Sequence, residues 1–109
     1  AARSLRAGRL LRNEGEPQTL ADGARTVSLG RLNWEILSQS IAGIFEVSES
    51  DIVAALRLLG GLGVRVEPTG AVALASILSY PDNFKGRRSC FVLSGGNVDP
   101  ELYDRLAGG

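Results

Sequence analysis

Between Ala71 and Ser79 the chain reads Ala-Val-Ala-Leu-Ala-Ser-Ile-Leu-Ser, apolar nearly all round a helix and rich in small residues. A helix of that kind has no face to give to water and is buried on every side. Pro68-Thr69-Gly70 opens it, and Pro81 stops it, since proline is accepted in a first turn but breaks a helix further on. A chain of 109 residues is one small domain at most, with little else to cover such a helix. The helix therefore predicts a place inside layered α/β structure, and an isolated chain that is oligomeric or aggregation-prone.

The flanking segments supply the layers. Ala1 to Gly8 looks like the end of a helix, with Gly8 as its stop, and Arg9 to Gln18 reads as an exposed linker. Leu20-Ala21-Asp22-Gly23-Ala24 is a turn in which Gly23 is free to take a positive φ. Asn33 is placed to cap a helix carrying Trp34, Ile36, Leu37, Ile41 and Ile44 on one stripe. Ser48 and Asp51 form a capping box with Asp in place of Glu. They start the clearest helix, whose buried face is Ile52, Ala55, Leu56 and Leu59 and whose end is Gly60-Gly61. Ile44–Val47, Val64–Val66 and Cys90–Leu93 read as short strands, and Asp99-Pro100-Glu101 begins a last helix with an N-cap, a proline and a first-turn acid. Strands alternating with helices favour an α/β fold with short parallel strands.

The charges exclude some partners. Lys+Arg and Asp+Glu balance at 12 each, so no global field recruits nucleic acid or an anionic membrane. No segment is long and apolar enough to span a bilayer. The single cysteine, Cys90, permits no internal disulfide and suits a reducing, cytoplasmic compartment. Histidine, the commonest general base and metal ligand, is absent. Methionine is absent too, and Lys85 is the one lysine against eleven arginines, a balance expected of a piece of something larger.

One place stands out as a site. Ser94-Gly95-Gly96-Asn97 lies where a strand hands over to a helix, and in open α/β sheets ligands bind at the carboxyl ends of strands. By itself it is an ordinary turn. Glu67 repeats the strand–turn–helix context; it is either a helix-opening acid favoured by the dipole or an acid facing a ligand. Asp22-Gly23 reads alone as an Asx turn. Lys85, in Asp82-Asn83-Phe84-Lys85-Gly86-Arg87-Arg88, is a solvated surface lysine, and Cys90 a small buried hydrophobe. Arg3, Arg6, Arg9 and Arg12 recur every third residue as a solvated basic stripe.

Taken jointly, Leu20-Ala21-Asp22-Gly23, Val47-Ser48-Glu49-Ser50-Asp51-Ile52, Val66-Glu67-Pro68-Thr69-Gly70-Ala71-Val72-Ala73 and Val92-Leu93-Ser94-Gly95-Gly96-Asn97-Val98-Asp99 resemble the pyridoxal-phosphate-dependent threonine/serine dehydratases and serine racemase. The resemblance runs over residues 1–109 and matches the C-terminal part of such an enzyme's catalytic region. It implies the α/β fold of the tryptophan-synthase β type, with pyridoxal 5'-phosphate in a cleft between two domains. Ser94 would then pair with the pyridine nitrogen, Gly95, Gly96 and Asn97 would shape the same wall, and Glu67 and Gly23 would lie close to the cofactor. The implied activity is an ammonia-lyase that turns L-threonine or L-serine into a 2-oxo acid and ammonia. The alternatives are a serine or hydroxyaspartate racemase-dehydratase, or a non-catalytic remnant that binds a ligand or a subunit.

The departures are equally specific. The family's cofactor-bearing lysine sits in an N-terminal Ser-Phe-Lys-x-Arg-Gly motif; Phe84-Lys85-Gly86-Arg87 imitates it in what the family makes a surface loop, so Lys85 is read as a decoy. The glycine-rich phosphate loop has no counterpart here. The acidic metal ligands of some members would lie before Ala1, so no metal ligand is assigned. The expected partners are the N-terminal segment of the same enzyme or a separate chain, a small amino-acid substrate, and other copies in a homo-oligomer.

Overall fold

A computed structural model describes Ala1–Gly108. Six helices follow one another: α1 (Ala2–Ala7), α2 (Arg31–Ser40), α3 (Glu49–Gly61), α4 (Pro68–Ser79), α5 (Pro81–Phe84) and α6 (Pro100–Ala107), with a 3-10 turn at Asp22–Ala24 between the first two. Gly8 stops α1 in the left-handed region, at φ 66°. The capping box that opens α3 forms in both directions, as Asp51 N–H donates to Ser48 Oγ (3.2 Å) and Ser48 N–H to Asp51 Oδ2 (3.0 Å). Asp99 caps α6 by accepting from Leu102 N–H at 2.9 Å, with Pro100 following it.

The core is the α3–α4 pair. Ile52, Ala55, Leu56 and Leu59 of α3 meet Ala71 and Ala75 of α4, with Ala21 and Val66 at the margin. The alanines let the two backbones approach, and Leu56 is the largest side chain fully enclosed. Helix α6 rests on α3 through Tyr103 and Leu106, helped by Arg57 Nε–H donating to Leu106 O (3.1 Å) and Arg65 lying 4.8 Å over the Tyr103 ring.

Several expectations are corrected. No described residue belongs to a strand: Ile44–Val47, Val64–Val66 and Cys90–Leu93 run as irregular chain. A strand is stable only when its N–H and C=O groups meet a neighbouring strand. Here 64–67 and 93–96 share one backbone hydrogen bond among the described residues, Glu67 N–H to Gly95 O at 2.6 Å, and Val92 stays 77% exposed. Segment 44–47 is instead pinned by side chains. Phe45 sits 4.9 Å from the Tyr80 ring and 5.4 Å from Phe84, and Tyr80 O–H donates to Glu46 O at 2.6 Å.

Helix α4 begins at Pro68, not Ala71, and is covered on one side rather than all round: Gly70, Ala71 and Ala75 are buried, while Leu78 is exposed. Helix α2 is capped by Gly30, with Asn33 inside the first turn and its Oδ1 3.0 Å from where a Cβ at residue 30 would stand. Ile41 is already extended, so Ile44 is off the helix, and Leu32 and Ile36 face outward. Helix α3 does end at Gly60-Gly61, as expected. Cys90 is exposed, because no strand forms to bury it. Arg9 and Arg12 lie beyond α1, so no basic stripe is built; Arg6 pairs with Glu46 at 3.0 Å and Arg3 donates to Asn13.

Candidate functional site

The first turn of α4 gathers the predicted site. Glu67 is its N-cap residue by backbone position, but the carboxylate makes no capping hydrogen bond. That side chain lies instead against Gly95, which takes φ 74° and where any Cβ would collide with the Glu67 carboxylate. Glu67 N–H holds Gly95 O, and a Cβ on Gly70 would run into Ser94 O. Gly70 is thus glycine because the Ser94 backbone passes too closely for a side chain, and Gly95 because its φ is positive and the Glu67 side chain fills the space. The wall 94–97 is pinned by main chain, which leaves its side chains to other uses. Ser94 and Asn97 are exposed, and neither side chain makes a hydrogen bond among the described residues.

Beside this wall lies a cavity of about 380 Å³ lined by Asp22, Arg25, Glu67, Asn97, Asp99 and Arg105, among others. Two of its charges are already engaged. Arg25 donates through Nε and Nη2 to Thr19 O (2.9 and 2.7 Å), and Asp99 caps α6. Gly23 belongs to the 3-10 turn and lines a neighbouring cavity of about 410 Å³ on the α1 side. Its φ is not positive, which corrects the reading of a left-handed turn; what lies against it is Thr69, from the first turn of α4. Ser94, Gly95, Glu67, Asn97 and, through Thr69, Gly23 are therefore brought together, whereas Gly96 has open space around it.

Sequence reasoning missed Thr69, Arg25 and Arg105 as members of this region. Only their nearness to the singled-out residues signals them. Lys85 lies beyond the other end of α4. It follows α5 at the far end of α4 from Glu67, and a 12-residue helix at about 1.5 Å per residue separates the two ends by roughly 18 Å.

A family model described as "Pyridoxal-phosphate dependent enzyme" matches residues 1–95. The chain belongs to this family. It is similar to the L-threo-3-hydroxyaspartate ammonia-lyase of Pseudomonas sp, 36% identical over 94 residues that cover 85% of this chain and 30% of that protein. Among solved structures, a threonine deaminase from T.th. superposes with a TM-score of 0.85 at 45% identity, covering 90% of this chain and 33% of that one. A maize serine racemase gives 0.84 at 31% identity, covering 95% and 33%. The chain thus spans about a third of the length of the relatives it matches, and its fold is a portion of the tryptophan-synthase β-like fold.

The residues on the wall fit one side of a pyridine-ring cofactor. Ser94 offers a neutral hydroxyl, able to donate or accept, with no competing partner among the described residues. Its carbonyl lies against the first turn of α4, and the space a Cβ on Gly96 would take is open.

Proposed function

We propose that this chain supplies the pyridine-nitrogen wall of the cofactor site in a pyridoxal-phosphate-dependent ammonia-lyase acting on L-threonine or L-serine. The observation that carries it is the unpartnered Ser94 hydroxyl on a wall pinned to α4 by Glu67 N–H and Gly95 O, 2.6 Å apart. When bound, the cofactor supplies the electron sink for loss of the substrate's α-proton. Ser94 would hold the ring nitrogen with a neutral hydroxyl and leave it largely unprotonated, a mild sink that would suffice for loss of a β-hydroxyl as water. Gly95 and Gly96 keep the ring's approach free of side chains. Asn97 and Glu67 line the cavity at its edge and orient polar groups there. Water would be lost across the Cα–Cβ bond of the amino acid, and the resulting enamine, through its imine tautomer, would take one water back in hydrolysis to a 2-oxo acid and ammonia. The relatives' activities on hydroxyaspartate, threonine and serine all begin at the same α-proton, which supports the reaction class more firmly than the substrate.

The cofactor-bearing lysine would come from another segment or chain, and the complete site would form in a homo-oligomeric, cytoplasmic enzyme. Absorption spectra of pyridoxal phosphate decide the matter. Titrated with this chain alone, no borohydride-reducible band is expected; with a separately expressed segment carrying the family's lysine motif, a band is expected, and Ser94→Ala shifts it. A reducible band from this chain alone, mapped to Lys85, would overturn the decoy reading. A band with the lysine-bearing segment that Ser94→Ala leaves unmoved would remove Ser94 from the nitrogen. No band at all with that segment would favour the non-catalytic remnant, which the remoteness of the one lysine also favours.

A further inference from the structure

We propose that Thr69 is a positioning residue: its hydroxyl clamps the Asp22–Gly23 turn to the first turn of α4, the same turn that grips the Ser94–Gly95 wall. The clamp stands on geometry; its use in holding a cofactor rests on the function proposed above. Gly23 N–H donates to Thr69 Oγ1 at 3.1 Å and to Asp22 Oδ1 at 2.8 Å, and the Thr69 hydroxyl donates to Asp22 Oδ1 at 3.3 Å. The three groups close a ring in which one hydroxyl both accepts and donates. It joins positions 46 residues apart. The turn's own backbone hydrogen bonds are local, Asp22 to Leu20, Ala24 to Ala21 and Arg25 to Asp22, so they shape it without placing it.

A threonine in a first helical turn ordinarily spends its hydroxyl on its own helix. Thr69 makes no such bond among the described residues and spends it on another segment. Glu67, Thr69 and Gly70 therefore each hold a different piece of the site: Gly95, the Asp22–Gly23 turn, and Ser94. The fit also couples positions 23 and 69. A Cβ at residue 23 would stand 3.1 Å from both Thr69 Cγ2 and Oγ1, tighter than an ordinary van der Waals contact, so a side chain there and the β-branch of residue 69 exclude one another.

Two substitutions separate the hydroxyl from the branch. Thr69→Val keeps the branch and removes the hydroxyl, while Thr69→Ser does the reverse. In the full chain, Thr69→Val is expected to speed hydrogen exchange at the Gly23 amide by about two- to threefold, the low end of one hydrogen bond's net worth because Asp22 Oδ1 at 2.8 Å still accepts from it, and Thr69→Ser to leave it near the parent rate. Gly23→Ala is expected to lower the melting temperature in the parent and to cost less in the Thr69→Ser background, where Cγ2 is gone but Oγ1 still stands 3.1 Å from the new Cβ. With the lysine-bearing segment added, affinity for pyridoxal phosphate should fall in Thr69→Val and return in Thr69→Ser. Unchanged Gly23 exchange in Thr69→Val, or an equal cost of Gly23→Ala in both backgrounds, overturns the clamp. If the exchange and coupling behave as expected but no member of the series, parent included, binds pyridoxal phosphate, the clamp stands and the proposed function falls.

Discussion

Gly70 shows how much one missing side chain can decide. Its Cα lies where Ser94 O passes the first turn of α4, and a Cβ there has only backbone to push against. Gly70→Ala is accordingly expected to cost more than an exposed helical Gly→Ala gains. Overpacking of this kind costs about 1–3 kcal/mol, read as a lower midpoint in denaturant unfolding. An unchanged midpoint would mean that the 94–97 wall moves freely. Glycines of this sort are poorly legible in a sequence. Ser94-Gly95-Gly96-Asn97 advertised itself as a turn, but nothing local to Pro68-Thr69-Gly70 says that residue 94 will lie on it. The same holds for Gly23, whose partner Thr69 is far along the chain. The motifs matched as a set named residues that the structure brings close together, and the pattern supplied the wrong reason for Gly23.

Individual helices were legible where their signals are local. Gly8, Ser48 with Asp51, and Asp99 with Pro100 all act within a turn of the element they bound, and all three are realised. The strands were not, because a strand's hydrogen bonds belong to its neighbour, and Cys90 was misjudged with them. The capping box makes a prediction that depends on acidity. The Ser48 hydroxyl, then the Ser48 backbone N–H, hold the Asp51 carboxyl below its ordinary 3.8, against a small opposing effect of desolvation and with help from Ser79. A carboxyl depressed in the folded state adds stability that is complete above its unfolded value and lost as pH falls through the folded one. Thermal melts of the parent should therefore lose stability as pH drops below about 3.8. Ser48→Ala should cost about 1 kcal/mol at neutral pH, the usual worth of an N-cap, and flatten that acid dependence. An acid limb identical in both proteins would assign the loss to other carboxylates.

At the scale of the whole molecule, the covered surface is smaller than the sequence anticipated. The apolar helix α4 is sheltered by α3 along one side, but Leu32, Ile36, Leu62 and Val92 are each more than two-thirds exposed. Exposed apolar groups in that number favour association. Light scattering should show a mass that rises with protein concentration, and Leu32→Glu with Ile36→Glu should reduce it. A constant monomer mass in the parent would contradict this. No described helix is long and apolar enough to cross a membrane, so lipid immersion by such a span is not what those side chains await.

The isolation of Lys85 at the far end of α4 has a practical side. Lys85 carries the chain's one side-chain amine and Cys90 its one thiol, and both are exposed. Cys90 is four residues before Ser94, within about 14 Å of it even if the chain is fully extended. A thiol-reactive dye there would sit close to the wall, and an amine-reactive one on Lys85 would sit away from it. The chain comes ready-made for energy-transfer measurements of whether the 94–97 segment moves when a partner docks.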